Sequence, residues 1–594
     1  MMHTTPGLTT SFSPGTKRWY ASIHLPTLTI LLLTLAFPPV RQFYLGWVAL
    51  VPWILYVRKS RSPVRAFVSS TAMGFVLNAI NMYWLTAVTW PGGLALMGYM
   101  SLYWGIAAVV TRGLLRRFPP TRFDHAIIVT LMIPTLFVCL ELIRAHLWTG
   151  IPWLNLSTTQ VSILTMCQLA DTFGAYGITF WVVALNSLTA LYLLARGRTL
   201  YPRQMLAAGA TVAVLLLSIF CYGRFRLSQS PLVPGPTVTV VQANFPQDNS
   251  GRKGATEQQI VDFHISASAR ALADAKQRGA PSDLVAWSET MTPPINSIAR
   301  EYLVGSEYGK FISSAHDRMT SLAREYDTTV IAGGIFYGGF REVPDGSIMP
   351  INRRNTAYFI TPLGELSPTR YDKIHLVPFG EYIPFKDSVP FLYNFFLKLS
   401  PYDYDYTLVP GSTDDLTVFM LTQHQTAKPT RFVVPICFED LDAALVARMF
   451  RAPHGKKRAD MFVTITNDGW FASPELHQHL TTAQLRCIEN RVPAARSVNT
   501  GMSGFIDSVG RAHNLLPIHT EGASTATLQL DSRLTIYTQF GDWFPTLCTF
   551  VIGLMSLWLM YDASRSPARL AHHLAEGESS SFSFNSRNSA DNRA

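Results

Sequence analysis

Seven apolar runs, most of them near twenty residues long, occupy the first ~225 positions, and a chain built this way has few folds open to it. The runs lie near 22–40, 43–57, 66–88, 94–115, 125–147, 170–194 and 205–223, and Phe544–Met560 makes an eighth. A bilayer core of ~30 Å is crossed by about 20 helical residues, so the pattern predicts a polytopic α-helical membrane bundle of about eight spans. The hydrophobic content of 48% with only 15% charged residues fits that reading and not a soluble enzyme of this size. The N-terminal run has no small-residue cleavage site and further spans follow it, so it does not read as a signal peptide.

Basic residues sit in alternate connections. Lys17 and Arg18 precede the first run; Arg58, Lys59, Arg61 and Arg65 follow the second. Arg112, Arg116, Arg117 and Arg122 follow the fourth, and Arg196, Arg198 and Arg203 the sixth, whereas Trp90–Gly93 and His146–Leu156 are almost free of them. The positive-inside rule then places both termini in the cytoplasm and residues 226–543 outside. Arg224 and Arg226 run against it, two charges against a dozen. This clustering between apolar segments also argues against nucleic acid as a partner, despite the net charge of +10. In the connection after the fifth span, Trp148 and Trp153 read as interfacial anchors. Glu141 and Arg144 are the main charges inside a span.

The expected division is a cytoplasmic segment 1–21, a seven-helix region 22–225, a catalytic domain 226–543, a span 544–560 and a disordered tail 561–594. The middle domain alternates β-branched runs with helical patterns, which predicts an α/β fold. Strands are expected at Thr237–Gln242, Asp283–Trp287, Thr329–Gly333, Thr356–Ile360, Phe432–Ile436, Met461–Thr466 and Gly504–Ser508, with helices at Glu257–Arg278 and Ala315–Tyr326. Gly333-Gly334 reads as a strand end only. Within 385–430 an aromatic segment, Phe391–Leu399 with Tyr402, Tyr404 and Tyr406, suits a lid that dips into the bilayer surface.

Three residues that follow expected strands carry complementary chemistry. Cys437 ends Phe432-Val-Val-Pro-Ile436, Glu289 follows Leu284-Val-Ala-Trp-Ser288, and Lys373 opens a loop. Acyl transfer through a thioester needs a thiolate, a base for its proton and a cation or N–H for the oxyanion. Taken singly, each has a blander reading as a packed or solvated residue; strands of one sheet, however, bring such ends together. The six cysteines (139, 167, 221, 437, 487 and 548) show no CxxC pair and no disulfide framework. His477 and His479 stand at i, i+2, which does not stack two ligands on one helix face, so they read as polar residues of a loop or helix start, with no metal expected.

The surrounding motifs resemble the nitrilase superfamily and, with spans on both sides, the apolipoprotein N-acyltransferase family. They are Val241-Gln-Ala-Asn-Phe-Pro-Gln247, Lys373-Ile-His-Leu-Val-Pro-Phe-Gly-Glu381, Ile436-Cys-Phe-Glu439, Thr466-Asn-Asp-Gly-Trp-Phe471 and Ala483–Asn499, which includes Arg486, Glu489, Asn490 and Arg496, together with Ile151-Pro-Trp-Leu154. The resemblance covers about residues 22–560. It implies a nitrilase-like αββα sandwich outside the membrane and a Glu289-Lys373-Cys437 triad of base, oxyanion cation and nucleophile. Glu381 and Glu439 would be supporting carboxylates that hold Lys373 and the attacking amine, and the N–H of Phe438 would help with the oxyanion. Ser288 and Phe438 depart from the family's usual proline and tyrosine. The implied reaction is ping-pong: a glycerophospholipid donates an acyl chain, and the α-amine of a diacylglyceryl-cysteine on an apolipoprotein accepts it. No cofactor is implied, and the expected setting is a monomer in a bacterial inner membrane. Two rivals stand beside this reading: a membrane-anchored amidase with the same triad, and a transporter or lipid-binding protein whose outer domain only recognises ligand.

Overall fold

The computed structural model describes residues 14–119, 122–148, 150–195, 202–229, 231–247, 254–343, 348–399, 406–451, 455–471 and 473–562; of residues 14–23, 202–208 and 399 it describes the backbone only. The expected tail (from 563), Tyr402, Tyr404, Arg196 and Arg198 lie outside the described residues.

Among these, five helices are long and apolar enough to cross a membrane: Trp90–Arg117, Phe123–His146, Ala175–Ala195, Gly209–Ser228 and Trp543–Asp562. Three other expected spans arrive in altered form. Pro14–Ala36 is helical, but its described apolar part is His24–Ala36. The run at 43–57 is a 3₁₀ turn, Phe43–Trp47, followed by the helix Val51–Lys59. Nine residues rise only about 13 Å, at ~1.5 Å each, less than half of a bilayer core. The run at 66–88 is the helix Pro63–Asn81, with a separate turn at Leu85–Val88. A count of eight spans is therefore not reproduced by helix length and composition alone.

The helices pack around Trp53, Phe137, Ala107 and Val183, all buried. Asparagines inside the bundle are paired: Asn186 accepts from Leu50 N–H at 2.8 Å, and Asn78 Nδ2 donates to Ser101 at 3.2 Å. Glu141 accepts from Leu156 N–H at 2.9 Å and from Thr179 Oγ1 at 2.8 Å, which pins the connection after Phe123–His146. At one end, Arg112 and Arg116 donate to the Ser60 carbonyl, and Arg117 pairs with Asp562 at 2.8 Å. The globular domain docks on the opposite end.

That domain contains two six-stranded sheets. The first has the order β12-β1-β2-β3-β4-β5, with β1 Leu232–Gln242, β2 Leu284–Thr292, β3 Thr329–Glu342, β4 Ile348–Ile360, β5 Tyr371–Asp372 and β12 Gly522–Asp531. The second has the order β11-β10-β9-β8-β7-β6, with β6 Phe419–Thr422, β7 Pro429–Val433, β8 Met461–Thr466, β9 Ala494–Val498, β10 Gly504–Ile506 and β11 Ala512–His513. Side chains alternate across each strand. Val240, Leu284 and Ala286 face the inter-sheet core with Phe432 and Ile465, whereas Val241, Val285 and Trp287 pack outward with residues of Glu257–Gln277 and Glu307–Glu325. Ser497 Oγ donates across the sheets to the carbonyls of Val241 (2.9 Å) and Ala286 (3.0 Å).

Three details differ from expectation. β7 stops at Val433, and Ile436 keeps a single bridge to Ile465, so Cys437 opens a 3₁₀ turn instead of ending a strand. Gly333-Gly334 lies inside β3, where β4 pairs along it from Ile360 to Ile348. The second half of the expected lid belongs to the sheet, because Phe419 pairs with Phe432.

Candidate active site

β2 carries the first group. Its register with β3 breaks between Trp287 and Thr292, and Thr290 has φ +57°, so Glu289 stands on a distorted stretch. β3 lies tight against it: a Cβ on Gly333 would sit 2.6 Å from Glu289 Cα, which only glycine avoids. β5 carries the second group, since Lys373 follows Asp372 directly.

Lys373 is 1% exposed, with its Nζ 3.0 Å from Glu289 Oε1 and 2.9 Å from Glu381 Oε2. Burial opposes the ammonium charge, but the two carboxylates outweigh it and hold the lysine pKa well above its ordinary value. Asn355 Nδ2, on β4, donates to both Glu289 Oε1 and Glu381 Oε1 at 2.7 Å. Asn467 N–H donates to Glu289 Oε2 at 3.0 Å, so both oxygens of that carboxylate are aimed.

Cys437 is half-buried with φ +51°, a left-handed conformation that costs a non-glycine residue energy and is held by its surroundings. Burial, and then the charge of Glu289, push its thiol pKa well up, while Lys373 and His479 pull it down. Its surroundings on balance favour the thiol over the thiolate.

Glu439 brackets the Cys437 turn. Its Oε2 accepts from Ile436 N–H (2.8 Å); Oε1 accepts from Tyr371 Oη (2.8 Å), Ile374 N–H (2.7 Å) and His375 N–H (3.1 Å). Burial raises its pKa to about 7. This fully buried carboxylate fastens the Cys437 turn to the Lys373 loop. These four donors occupy the Glu439 oxygens, while the carboxylates in direct contact with Lys373 are Glu289 and Glu381.

Phe438 turns its ring edge-on to His375, with centroids 5.2 Å apart, and with Leu441 joins an apolar cluster built from Trp84, Met97, Met100 and Trp153 of the helical region. Trp153 is buried and donates to Gln478 Oε1 at 2.6 Å, so it is a docking residue; Trp148, 72% exposed, keeps the position of an anchor. His479 lies near the start of the helix Glu475–Asn490, as one of the two expectations had it, and is buried there between two carboxylates.

Models of two known families match successive parts of the chain. Residues 31–188 match the apolipoprotein N-acyltransferase N-terminal domain, and residues 237–535 match carbon-nitrogen hydrolase. The chain is 29% identical over 538 residues to the apolipoprotein N-acyltransferase of Geobacter metallireducens, covering 88% of this chain and 92% of that protein. It is 30% identical over 410 residues to that of Bradyrhizobium diazoefficiens, covering 68% of each. The chain belongs to the apolipoprotein N-acyltransferase family. A solved amidase of the nitrilase superfamily from Nesterenkonia is 15% identical, with a TM-score of 0.32, over 50% of this chain and 93% of that one.

Within this family assignment, three positions went unread in the sequence. Asn355 had one weak signal, an asparagine in a strand pattern that disfavours it. Gly333 had its glycine pair. His479 had none, because its partners Asp440 and Asp468 come from other segments.

Proposed function

We propose that this membrane acyltransferase works by a ping-pong course through Cys437, with Glu289, Lys373 and Glu381 around it. The observation that carries the reading is the buried Lys373 ammonium clamped by Glu289 and Glu381 beside the Cys437 turn, whose next residue, Phe438, meets the apolar wall of the bundle. Cys437 Sγ attacks the ester carbonyl of a glycerophospholipid while Glu289 takes the thiol proton. Lys373 and the Phe438 N–H balance the oxyanion. Collapse breaks the ester C–O bond, Glu289 returns the proton to the leaving lysophospholipid oxygen, and a thioester remains. The α-amine of a diacylglyceryl-cysteine then attacks the thioester, Glu289 takes its proton, and the proton passes to the departing thiolate. An amide and the free thiol result. Phe438 and Leu441 offer an acyl chain an apolar path that hydrolysis of a soluble amide has no use for.

For topology we infer eight crossings, with Phe43–Trp47 and Val51–Lys59 together as the second. Arg58–Arg65, Arg112–Arg117 and the end of the last helix meet at one face, which supports a cytoplasmic assignment for that face and an extracytoplasmic domain in a bacterial inner membrane. The domain limits 226–543, the lid around Pro390–Leu399 and action as a monomer complete the proposal. Phe391 and Phe395, 72% and 56% exposed, support the lid.

Intact mass of the protein after incubation with phosphatidylethanolamine, wild type beside Cys437→Ala, tests the first half-reaction. The expected result is a hydroxylamine-sensitive acyl adduct on wild type alone. Absence of both adduct and lipid turnover overturns the proposal.

A further inference from the structure

His479 lies on the helix Glu475–Asn490, which docks the globular domain on the bundle. The adjacent Gln478 accepts from Trp153 and donates to the Asn81 carbonyl at 3.0 Å, and Thr481 accepts from Arg41 at 3.2 Å. On the inner side of the same helix, His479 Nε2 is 2.8 Å from Asp440 Oδ1 and Nδ1 is 3.1 Å from Asp468 Oδ1. Asp440 belongs to the turn Cys437–Leu441; Asp468 follows Asn467, whose N–H holds Glu289. One side chain therefore touches the nucleophile's turn and the base's turn, and its helix touches the membrane region.

We propose that His479 is a positioning residue of the acyl-transfer site, an imidazolium crosspiece that fixes the Cys437 turn against the Glu289-holding turn and lends the thiol a nearby positive charge. The inference rests on the reading of Cys437 as nucleophile. With carboxylates on both ring nitrogens, the imidazole has two acceptors to serve, which suits a double donor. The ionisable groups facing it are Asp440 from the nucleophile turn, Asp468 from the turn after β8 and Glu475 from its own helix, at 3.5 Å, the last held toward its neutral form by burial and Asp468. Arg496 on β9 completes the set through Asp440 at 2.8 Å. Burial opposes the charge on His479, but Asp440 and Asp468 prevail and raise its pKa well above the usual histidine value. Cys437 feels Glu289, Lys373, His479 and Asp468 together.

The test is alkylation of the full-length protein in detergent by iodoacetamide between pH 7.5 and 9.5, read at each cysteine by peptide mass spectrometry. N-acetylcysteine in the same solution serves as reference thiol; Cys487 is buried and reports unfolding. Below its midpoint a thiol reacts in proportion to its thiolate fraction, so loss of the His479 charge reads directly as a slower rate. His479→Gln is expected to slow Cys437 about tenfold relative to the reference thiol, with Cys487 still protected. In the double variant Asp468→Asn/His479→Gln, one negative and one positive charge that both act on Cys437 leave together, and the Cys437 rate is expected to recover to within about threefold of wild type, a pattern a merely structural role would not give. An unchanged Cys437 rate in His479→Gln with Cys487 protected, or a double variant no faster than the single, overturns the proposal.

Should His479→Gln expose Cys487, the wild-type protein still decides. Solid-state ¹⁵N spectra of histidine-labelled protein in lipid, with His479 assigned by difference from the double variant, should show both ring nitrogens protonated at pH 8. A neutral ring there overturns the inference. Neither readout uses an acyl donor, so they report on His479 even where no thioester forms, and failure of the acyl-transfer reading is seen separately in the intact-mass experiment.

Discussion

Asn355 donates to Glu289 and to Glu381 from one nitrogen, at 2.7 Å each, and so holds two carboxylates at a common distance from the Lys373 ammonium between them. Loss of this amide frees both carboxylates without removing either charge. Asn355→Ala should lower the rate of thioester formation about a hundredfold, the scale of a small misplacement of reacting groups. Stopped assays with phosphatidylethanolamine check this, with Lys373 and Glu289 intact as the control on charge.

Removal of the charged members should cut deeper. Glu289→Gln takes away the only proposed proton acceptor and is expected to cost 10²–10⁴-fold in thioester formation, on the order of general-base effects. Lys373→Met removes the proposed oxyanion cation and leaves Glu289 and Glu381 facing each other in a buried site, which adds a fold cost of about 3–5 kcal/mol. Adduct mass and thermal unfolding, measured together, separate the two effects.

Gly333 should tolerate nothing larger. Its Cβ would meet Ser288 O and Glu289 Cα, each at 2.6 Å, and both are backbone that cannot swing away. Gly333→Ala is expected to cost about 1–3 kcal/mol of stability through overpacking, and to lose activity beyond that by moving Glu289. A variant with wild-type melting and wild-type turnover would refute the close approach of β3 to the site.

Glu475 links stability to pH. Burial, and then the neighbouring Asp468, raise its pKa to about 8, so the folded chain holds this proton more tightly than the unfolded one, where a glutamate titrates near ~4.3. Its contribution is therefore full below ~4.3 and is lost as pH rises toward about 8. Glu475→Gln keeps the neutral form. The difference in melting temperature between variant and wild type should move in the variant's favour from pH 5 to pH 8 and stay level above.

The exposed rings of Pro390–Leu399 predict a surface effect. Phe391→Ser/Phe395→Ser should raise the apparent KM for donor lipid in vesicles about tenfold, ~1.4 kcal/mol of interfacial binding. Turnover of the same lipid dispersed in detergent should change little.

Much of this molecule could be read from its sequence. Twenty-residue apolar runs and arginine-bearing connections mark spans because a bilayer imposes a length, and β-branched runs marked most of the central strands because packing between layers imposes a period. Cys437, Lys373 and Glu289 were legible for the same reason: their chemistry is unusual beside such strands, and family motifs surround them. Reading was weaker where local pattern and tertiary use part. Val51–Lys59 is apolar enough to suggest a span, yet Asn186 and its neighbours engage it as a short helix after a 3₁₀ turn. Phe419–Thr422 looked like part of a loop because a four-residue strand has too little periodicity to register.

What the sequence by itself determined is the kind of molecule: a membrane-embedded chain with one α/β domain and a cysteine, a lysine and a glutamate set in or just beyond its strand patterns. Those features are written in composition and short-range period, which physics reads locally. Only the tertiary structure decided how the groups are used. Glu439 became a bracket, Asn355 a bridge, Gly333 a point of contact and His479 a buried link between Asp440 and Asp468, because each role depends on partners tens of residues away, brought within about 3 Å by the packing of two sheets on one docking helix.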